Sequence, residues 1–431
     1  MAIELNATHD PARRSWLASA NLANADFPIQ NLPFGLFKTA GSAPRGGVAL
    51  GDRIIDLAAL ADRLGGAAQA ATGATLAPLL SQPPTALSAL RGALSALYSS
   101  DSADRSSAAA ALVPMAEAEL LLPLKPTAFA DFCCSIEHMR RMAATSGRPM
   151  AACADRLPVG YNGRASSVAV SGTPVVRPRG QYEFPPASGE FRFGPERRLD
   201  YELEFGVWLS GGNPLGTPVT VAEAEAMLFG CSLVNDWSAR GIQFFESMLG
   251  PHLGKSFLTT ISPWIVTMEA LAPFRVAARG RQTDEPVVPA HLLDSADRAG
   301  GGIRIAMTAD LATATSGPVR ICTTGFETMF WTLAQMVAHQ ASSGAPIEAG
   351  DLIASGTVSG PADDAKACLA EYNQRGSNPV LFADGGKRAW LADGDTLTIS
   401  AMAHADGFVP IGFGACAGTI QPALSGATGV N

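Results

Sequence analysis

"RLDYELEFGVWLS", residues 198–210, decides how this chain is read. Tyr201, Leu203, Phe205, Val207 and Leu209 alternate as one apolar face, the period of an extended strand. Successive side chains of a strand point to opposite sides, so Glu202 and Glu204 share the other face. An outer face in water accounts for such a pair, and so does a hard cation. Mg²⁺ or Ca²⁺ would need further oxygen ligands from elsewhere in the chain.

Two acids sit in comparably apolar company. Asp236 in "LVNDWSAR" (233–240) follows an apolar run and precedes a tryptophan, and Asp131 in "AFADFCCSIEH" (128–138) lies between apolar residues. Asp131, Glu202, Glu204 and Asp236 brought together would be costly to bury without a cation. His138 follows Asp131 by seven residues. A lone histidine is more often structural than catalytic, but beside a metal-binding Asp131 it is placed to be a general base. The 6 histidines show no HxH or HExxH zinc spacing. "GPHLGKSFLTT" (250–260) sets Lys255 in an apolar context without the spacing of a phosphate-binding loop. It reads as a turn residue or as an electrophilic group reaching into a cleft. "GDLIASGTVSGP" (350–361) suits close approach of backbone to a ligand, and "GFGACAG" (412–418) reads as packing among strands.

Composition bounds the rest. The chain has 431 residues, 47% hydrophobic and 16% charged, which is ample for a large core and suggests two or three domains. A formal net charge of −8 without a basic patch argues against a nucleic-acid partner. No apolar run reaches the ~18–20 residues that span a bilayer, and "MAIELNATHDPARRSW" is too polar for a signal peptide, so a cytoplasmic location is expected. The 7 cysteines have no repeated spacing and point to neither a zinc ribbon nor a disulfide framework.

Residues 31–60 read as short strands broken by Gly and Pro, a hairpin-built module or small barrel. An Ala/Leu/Ser-rich stretch from about 66 to 120, including "PTALSALRGALSALYSS", reads as a helical connector. Beyond it "ASSVAVSGTPVVRP" (165–178), "SPWIVTM" (262–268) and the C-terminal "GDTLTISAMAHADGFVPIGFGACAGTI" read as strands. "PVTVAEAEAMLFG" (218–230), N-capped by Thr220 and closing on Gly230, is expected to be a helix, as is "FETMFWTLAQMVAHQASSG" (326–344). The fold class is α+β and β-rich.

Eight blocks, "NLPFG", "LPVGYNGRASS", "VSGTP", "LDYELEF", "NDWSARGIQ", "LGKSFLTTISPW", "ASGTVSGP" and "DGFVPIGFGACAG", resemble in order, from about residue 30 to 424, the fumarylacetoacetase family. The resemblance implies an N-terminal SH3-like barrel with its helical connector over 1–120 and a larger β-roll-like catalytic domain over 121–431, assembled as a homodimer. It implies hydrolysis of a C–C bond in a β-diketo acid, with fumarylacetoacetate as the first-choice substrate in tyrosine and phenylalanine breakdown. Another acylpyruvate or β-diketo acid is the alternative. Carried over by position, Asp131, Glu202, Glu204 and Asp236 fall on carboxylates that bind Ca²⁺. Asp236, Lys255 and Thr259 fall on positions of a second ion, Mg²⁺, with the lysine contributing a backbone carbonyl. His138 falls on the catalytic base and Glu371, in "CLAEYN", on its carboxylate partner. Arg240, Gln243 and Lys255 fall on oxyanion-stabilising positions, and Tyr161 and Thr357 on substrate contacts, a role that Gln243 shares. Cys133 and Ser247 stand where the family has substrate-holding tyrosines, and Arg148 or Arg141 is the candidate for the substrate carboxylate.

Overall fold

The computed structural model describes residues 4–147, 149–246 and 249–425. Its organising element is a 13-stranded sheet that contains the strand Leu203–Leu209. That strand pairs antiparallel with Leu228–Asp236 on one side and with Leu352–Ala354 on the other. Phe129–Phe132 adds parallel to Leu352–Ala354, and Gly160–Asn162 closes that edge. On the other flank Trp264–Thr267 pairs with Phe34–Lys38, which leads through Arg45–Leu50 and Arg53–Asp56 to Leu112–Pro114. The strands expected within 31–60 are therefore present and hydrogen-bonded into the sheet that carries the two glutamates, while Leu57–Leu64 is a short helix capped by Asp56.

Every residue of Leu203–Leu209 is buried, so its second face does not meet water. Phe205 packs tilted against Phe326 and edge-on against Phe413, with ring centroids at 4.7 and 5.2 Å, in the large C-terminal core. Trp208, on the opposite face, packs in a second core with Phe34, Phe229 and Leu352 and donates from its indole N–H to Ser232 at 3.2 Å. A strand buried on both sides carries carboxylates only where something compensates them.

The six-stranded second sheet runs Val319–Gly325, Ile305–Ala312, Thr396–Ala403, Cys416–Gln421 and Val175–Val176, with Ile411–Gly412 on Thr396–Ala403. Ile305–Ala312 and Thr396–Ala403 alternate buried and half-buried, as sheets with one covered face do. Gly418 reads correctly as packing, since a Cβ there would lie 2.6 Å from Trp237. All seven cysteines are free.

Two expected helices are shorter than their apolar patterns. The first begins at the Thr220 capping box as expected but covers only Val221–Met227, and Leu228–Asp236 continues as a strand. Gly230 is thus a strand residue, and a Cβ on it would press on the Val266 carbonyl at 2.7 Å. The second covers Leu333–Gln340 under a Thr332 capping box, after a 3₁₀ turn at Phe326–Thr328. Pro84–Tyr98 is helical as the Ala/Leu pattern requires. Among the described residues no helix is long and apolar enough to cross a membrane.

Candidate active site and metal centre

The strand arrangement gathers the four acids at one end of the sheet. Leu203 lies opposite Asn235 in the antiparallel pair, which puts Glu202 and Glu204 beside Asp236. Asp131 pairs with Ala354, one strand beyond on the other side. One carboxylate oxygen from each of Asp131, Glu202, Glu204 and Asp236 falls within 4.8 Å of the others, and the four are 1, 5, 0 and 0% exposed.

These acids are unequally compensated. Glu202 accepts from Arg240 Nη1 at 2.7 Å and from Lys255 Nζ at 2.5 Å. Burial works against its charge, but Lys255 and Arg240 hold its carboxyl well below the usual range. Asp236 accepts from Lys255 Nζ at 2.7 Å, from Tyr161 Oη at 2.8 Å and from Thr259 Oγ1 at 3.1 Å. Neither Glu204 oxygen, nor Asp131 Oδ1, has a hydrogen-bond partner among the described residues. Burial and the neighbouring carboxylates push Glu204 and Asp131 well above their ordinary values. Orphaned, mutually repelling oxygens in a buried site suit a hard divalent cation, so this donor set fits a metal.

The second constellation forms on the helix Ile136–Ser146, N-capped by Ser135. His138 Nδ1 lies 2.7 Å from Glu371 Oε2, across 233 residues of sequence. Glu371 is fully buried on the short helix Leu369–Tyr372 and also accepts from Ser359 Oγ at 2.7 Å and Cys368 Sγ at 3.3 Å. Burial alone would raise its pKa, but the charge and hydrogen bond of His138 bring it below the ordinary carboxylate range. An anionic Glu371 is acceptor-only, so Nδ1 carries the proton and Nε2 is left as the basic nitrogen.

Both constellations open onto one cavity of ≈ 570 Å³. Asp131, His138, Tyr161, Glu202, Lys255 and Thr357 line it, together with Cys133, Arg240 and Gln243. Arg240 donates from Nε to Asp200 and from Nη1 to Glu202 and Gln243, while its buried Nη2 finds no partner among the described residues. Burial pushes the Cys133 thiol up to about 12, so it stays neutral. Arg148 and Ser247 lie outside the described residues.

Residues 30–123 match the family model described as "Fumarylacetoacetase N-terminal", and residues 127–421 match "Fumarylacetoacetate (FAA) hydrolase C-terminal". The chain belongs to the fumarylacetoacetase family. A fumarylacetoacetase of Oryza sativa subsp. japonica is 38% identical over 416 residues, 92% of this chain and 95% of that protein. A fumarylacetoacetase of Homo sapiens is 37% identical over 423 residues, 93% and 97% of the two chains. The solved fumarylacetoacetate hydrolase of psychrophilic Exiguobacterium antarcticum shares the fold at a TM-score of 0.50 and 16% identity, covering 91% of this chain and 99% of that one.

Asp200 was missed from sequence. It is fully buried, accepts from the backbone N–H groups of Leu369 and Ala370 at 2.7 and 3.0 Å, and holds Arg240 Nε at 2.8 Å. It thereby ties the helix of Glu371 to the arginine of the cavity. The signal was present, because Asp200 precedes Glu202 and Glu204 at the same two-residue spacing. Ser359 and Cys368, two further donors to Glu371, carried no such signal.

Proposed function

We propose that this family member hydrolyses the C–C bond of fumarylacetoacetate, giving fumarate and acetoacetate in tyrosine and phenylalanine catabolism. The observation that carries the reading is His138, backed by Glu371, on the wall of the same cavity as Asp131 and Glu202 of the four-carboxylate cluster. Asp131, Glu202, Glu204 and Asp236 would hold a divalent cation, with Thr259 and the Lys255 backbone at the position of a second one. Such a cation supplies a Lewis acid that withdraws electron density from a 1,3-dicarbonyl.

The chain's own groups do the rest. Glu371 keeps the His138 proton on Nδ1, and Nε2 takes a proton from water. The water oxygen then adds to the substrate carbonyl carbon, whose π electrons move onto its oxygen. The free Nη2 of Arg240, the amide N–H of Gln243 and the third Nζ–H of Lys255 are the donors for that oxyanion. When the carbonyl re-forms, the C–C bond breaks and its electron pair leaves with the enolate, whose carbon takes the proton held on His138 Nε2, completing acetoacetate and restoring the base. Tyr161, Thr357, Cys133, Arg148, Ser247 and Gln243 are assigned to substrate binding in this reading.

The finer architecture belongs to the same proposal: an SH3-like barrel domain with connector over 1–120 and a β-roll-like domain over 121–431. The two family matches, which end at 123 and resume at 127, support the division. Mg²⁺ and Ca²⁺ as the cations, a homodimer and a cytoplasmic location rest on the family resemblance. One observation favours a second substrate. Phe132, Met139, Met142, Met150 and Val159 make much of the cavity wall apolar, which suits a β-diketo acid with a less polar acyl part.

The test is loss of the fumarylacetoacetate ultraviolet band with purified protein and with His138→Ala. The parent should consume the substrate, and the variant should lose at least about 10²-fold in kcat. Comparable activity in both would sink the mechanism, and a parent active only on other diketo acids would select the second substrate.

A further inference from the structure

We infer that Arg141 is a positioning residue that fixes the Glu371 carboxylate against His138. The inference rests on the hydrolytic reading above. His138 and Arg141 are three residues apart on the helix Ile136–Ser146, so both project from one face. They meet the same carboxylate through different oxygens, His138 at Oε2 and Arg141 Nη1 at Oε1, 3.4 Å away. The other end of the guanidinium donates from Nη2 to the carbonyls of Gly360 at 2.8 Å, Pro361 at 3.2 Å and Ala362 at 3.4 Å.

Sequence left Arg141 as a candidate for the substrate carboxylate. The structure sets it behind Glu371 instead: Met142 and Ala143 line the cavity, whereas Arg141 does not. The segment it fastens is the one that presents Thr357 to the cavity and Ser359 to Glu371. Ser135, the cap of the same helix, donates to the Ser359 carbonyl at 2.7 Å. One helix thus clamps the segment at two points, with the His138–Glu371 bond between them. Only a planar fork spans a carboxylate and a row of carbonyls in this way, so lysine is not an equivalent residue.

The experiment is a double-mutant cycle. Arg141→Met should lower kcat roughly 10- to 100-fold, the usual effect of removing an outer partner of an oriented histidine, with KM within about threefold. Arg141→Lys should recover part of that loss. In a Glu371→Gln background Arg141→Met should cost less than about twofold more, because the residue acts through Glu371. A loss repeated in full there, or a change confined to KM, overturns the inference.

A second readout does not depend on substrate. The downfield proton signal of His138 Nδ1–H, assigned by its absence in His138→Ala, should shift or broaden in Arg141→Met. An unmoved signal overturns the inference even if the parent turns out to act on another substrate. A parent that turns over no diketo acid while the signal moves defeats the hydrolytic reading alone.

Discussion

Replacing Glu371 by Gln tests the base directly, because it keeps the shape and removes the charge. In the native site Glu371 accepts from His138 at 2.7 Å and is fully buried. As His138 takes the proton from water, an imidazolium forms beside the carboxylate, with charge centres about 4 Å apart. At an effective dielectric of ~20 that attraction is about 4 kcal/mol. Gln keeps an acceptor for Nδ1–H but forfeits this stabilisation, so kcat should fall about 10³-fold. KM should change little, since Glu371 is not on the cavity wall. The assay is initial-rate loss of the substrate's ultraviolet band under saturating Mg²⁺ or Ca²⁺, with thermal unfolding run in parallel. Ser359 can still bond the Gln side chain, so the variant should remain folded. A kcat within about fivefold of the parent, in folded protein, would refute the assignment of His138 as a base oriented by an anionic Glu371.

Chelation should lower Tm, and Mg²⁺ or Ca²⁺ at about a hundredfold excess over Kd should restore about 2.7 kcal/mol. With roughly 2.1 cal/mol/K of unfolding entropy per residue over 431 residues, that is a shift of about 3 °C. An unchanged Tm by calorimetry would speak against the carboxylate site. Asp297, buried beneath Thr332, has its pKa raised to about 6, chiefly by burial. Because that value exceeds the unfolded one of about 3.9, its contribution to stability is complete below pH ~4 and is lost as pH rises through about 6. Asp297→Asn should therefore gain about 2 kcal/mol relative to the parent between pH 4 and pH 7, and a pH-independent difference in urea melts would contradict this. Gly356 has φ +74, and a Cβ there would collide with the Phe132 carbonyl. Gly356→Ala should lose about 2–5 kcal/mol from left-handed strain plus overpacking, read as a Tm lower by several degrees.

What the sequence showed of this site followed from short-range periodicity. The two-residue repeat put Glu202 and Glu204 on one face because a strand allows nothing else, and Thr220 marked a helix start by a local hydrogen bond. Where the apolar pattern had to say how far an element extends, it overran. Leu228, Phe229 and Cys231 are buried in a strand as fully as they would be in a helix, so hydrophobicity alone cannot mark the change at Met227. Partners far apart in the chain were harder still. Glu371 was legible only through resemblance, and Asp200 escaped because its partners, the N–H groups of residues 369 and 370, come from a segment 169 and 170 residues away.

The uneven charges of the acidic cluster then bear on where a cation belongs. Lys255 bridges Glu202 and Asp236, and Arg240 adds a second positive charge to Glu202, so that side is already balanced. Among the described residues Asp131 and Glu204 have no salt-bridge partner, and three of their four carboxylate oxygens lack a hydrogen-bond partner. Were the site built for proteins' own charges alone, burying Glu204 fully beside three other acids would oppose folding without return. A divalent cation would therefore be best compensated on the Asp131–Glu204 side. Lys255 bonds both Glu202 and Asp236 without occupying that side, and it also lines the cavity.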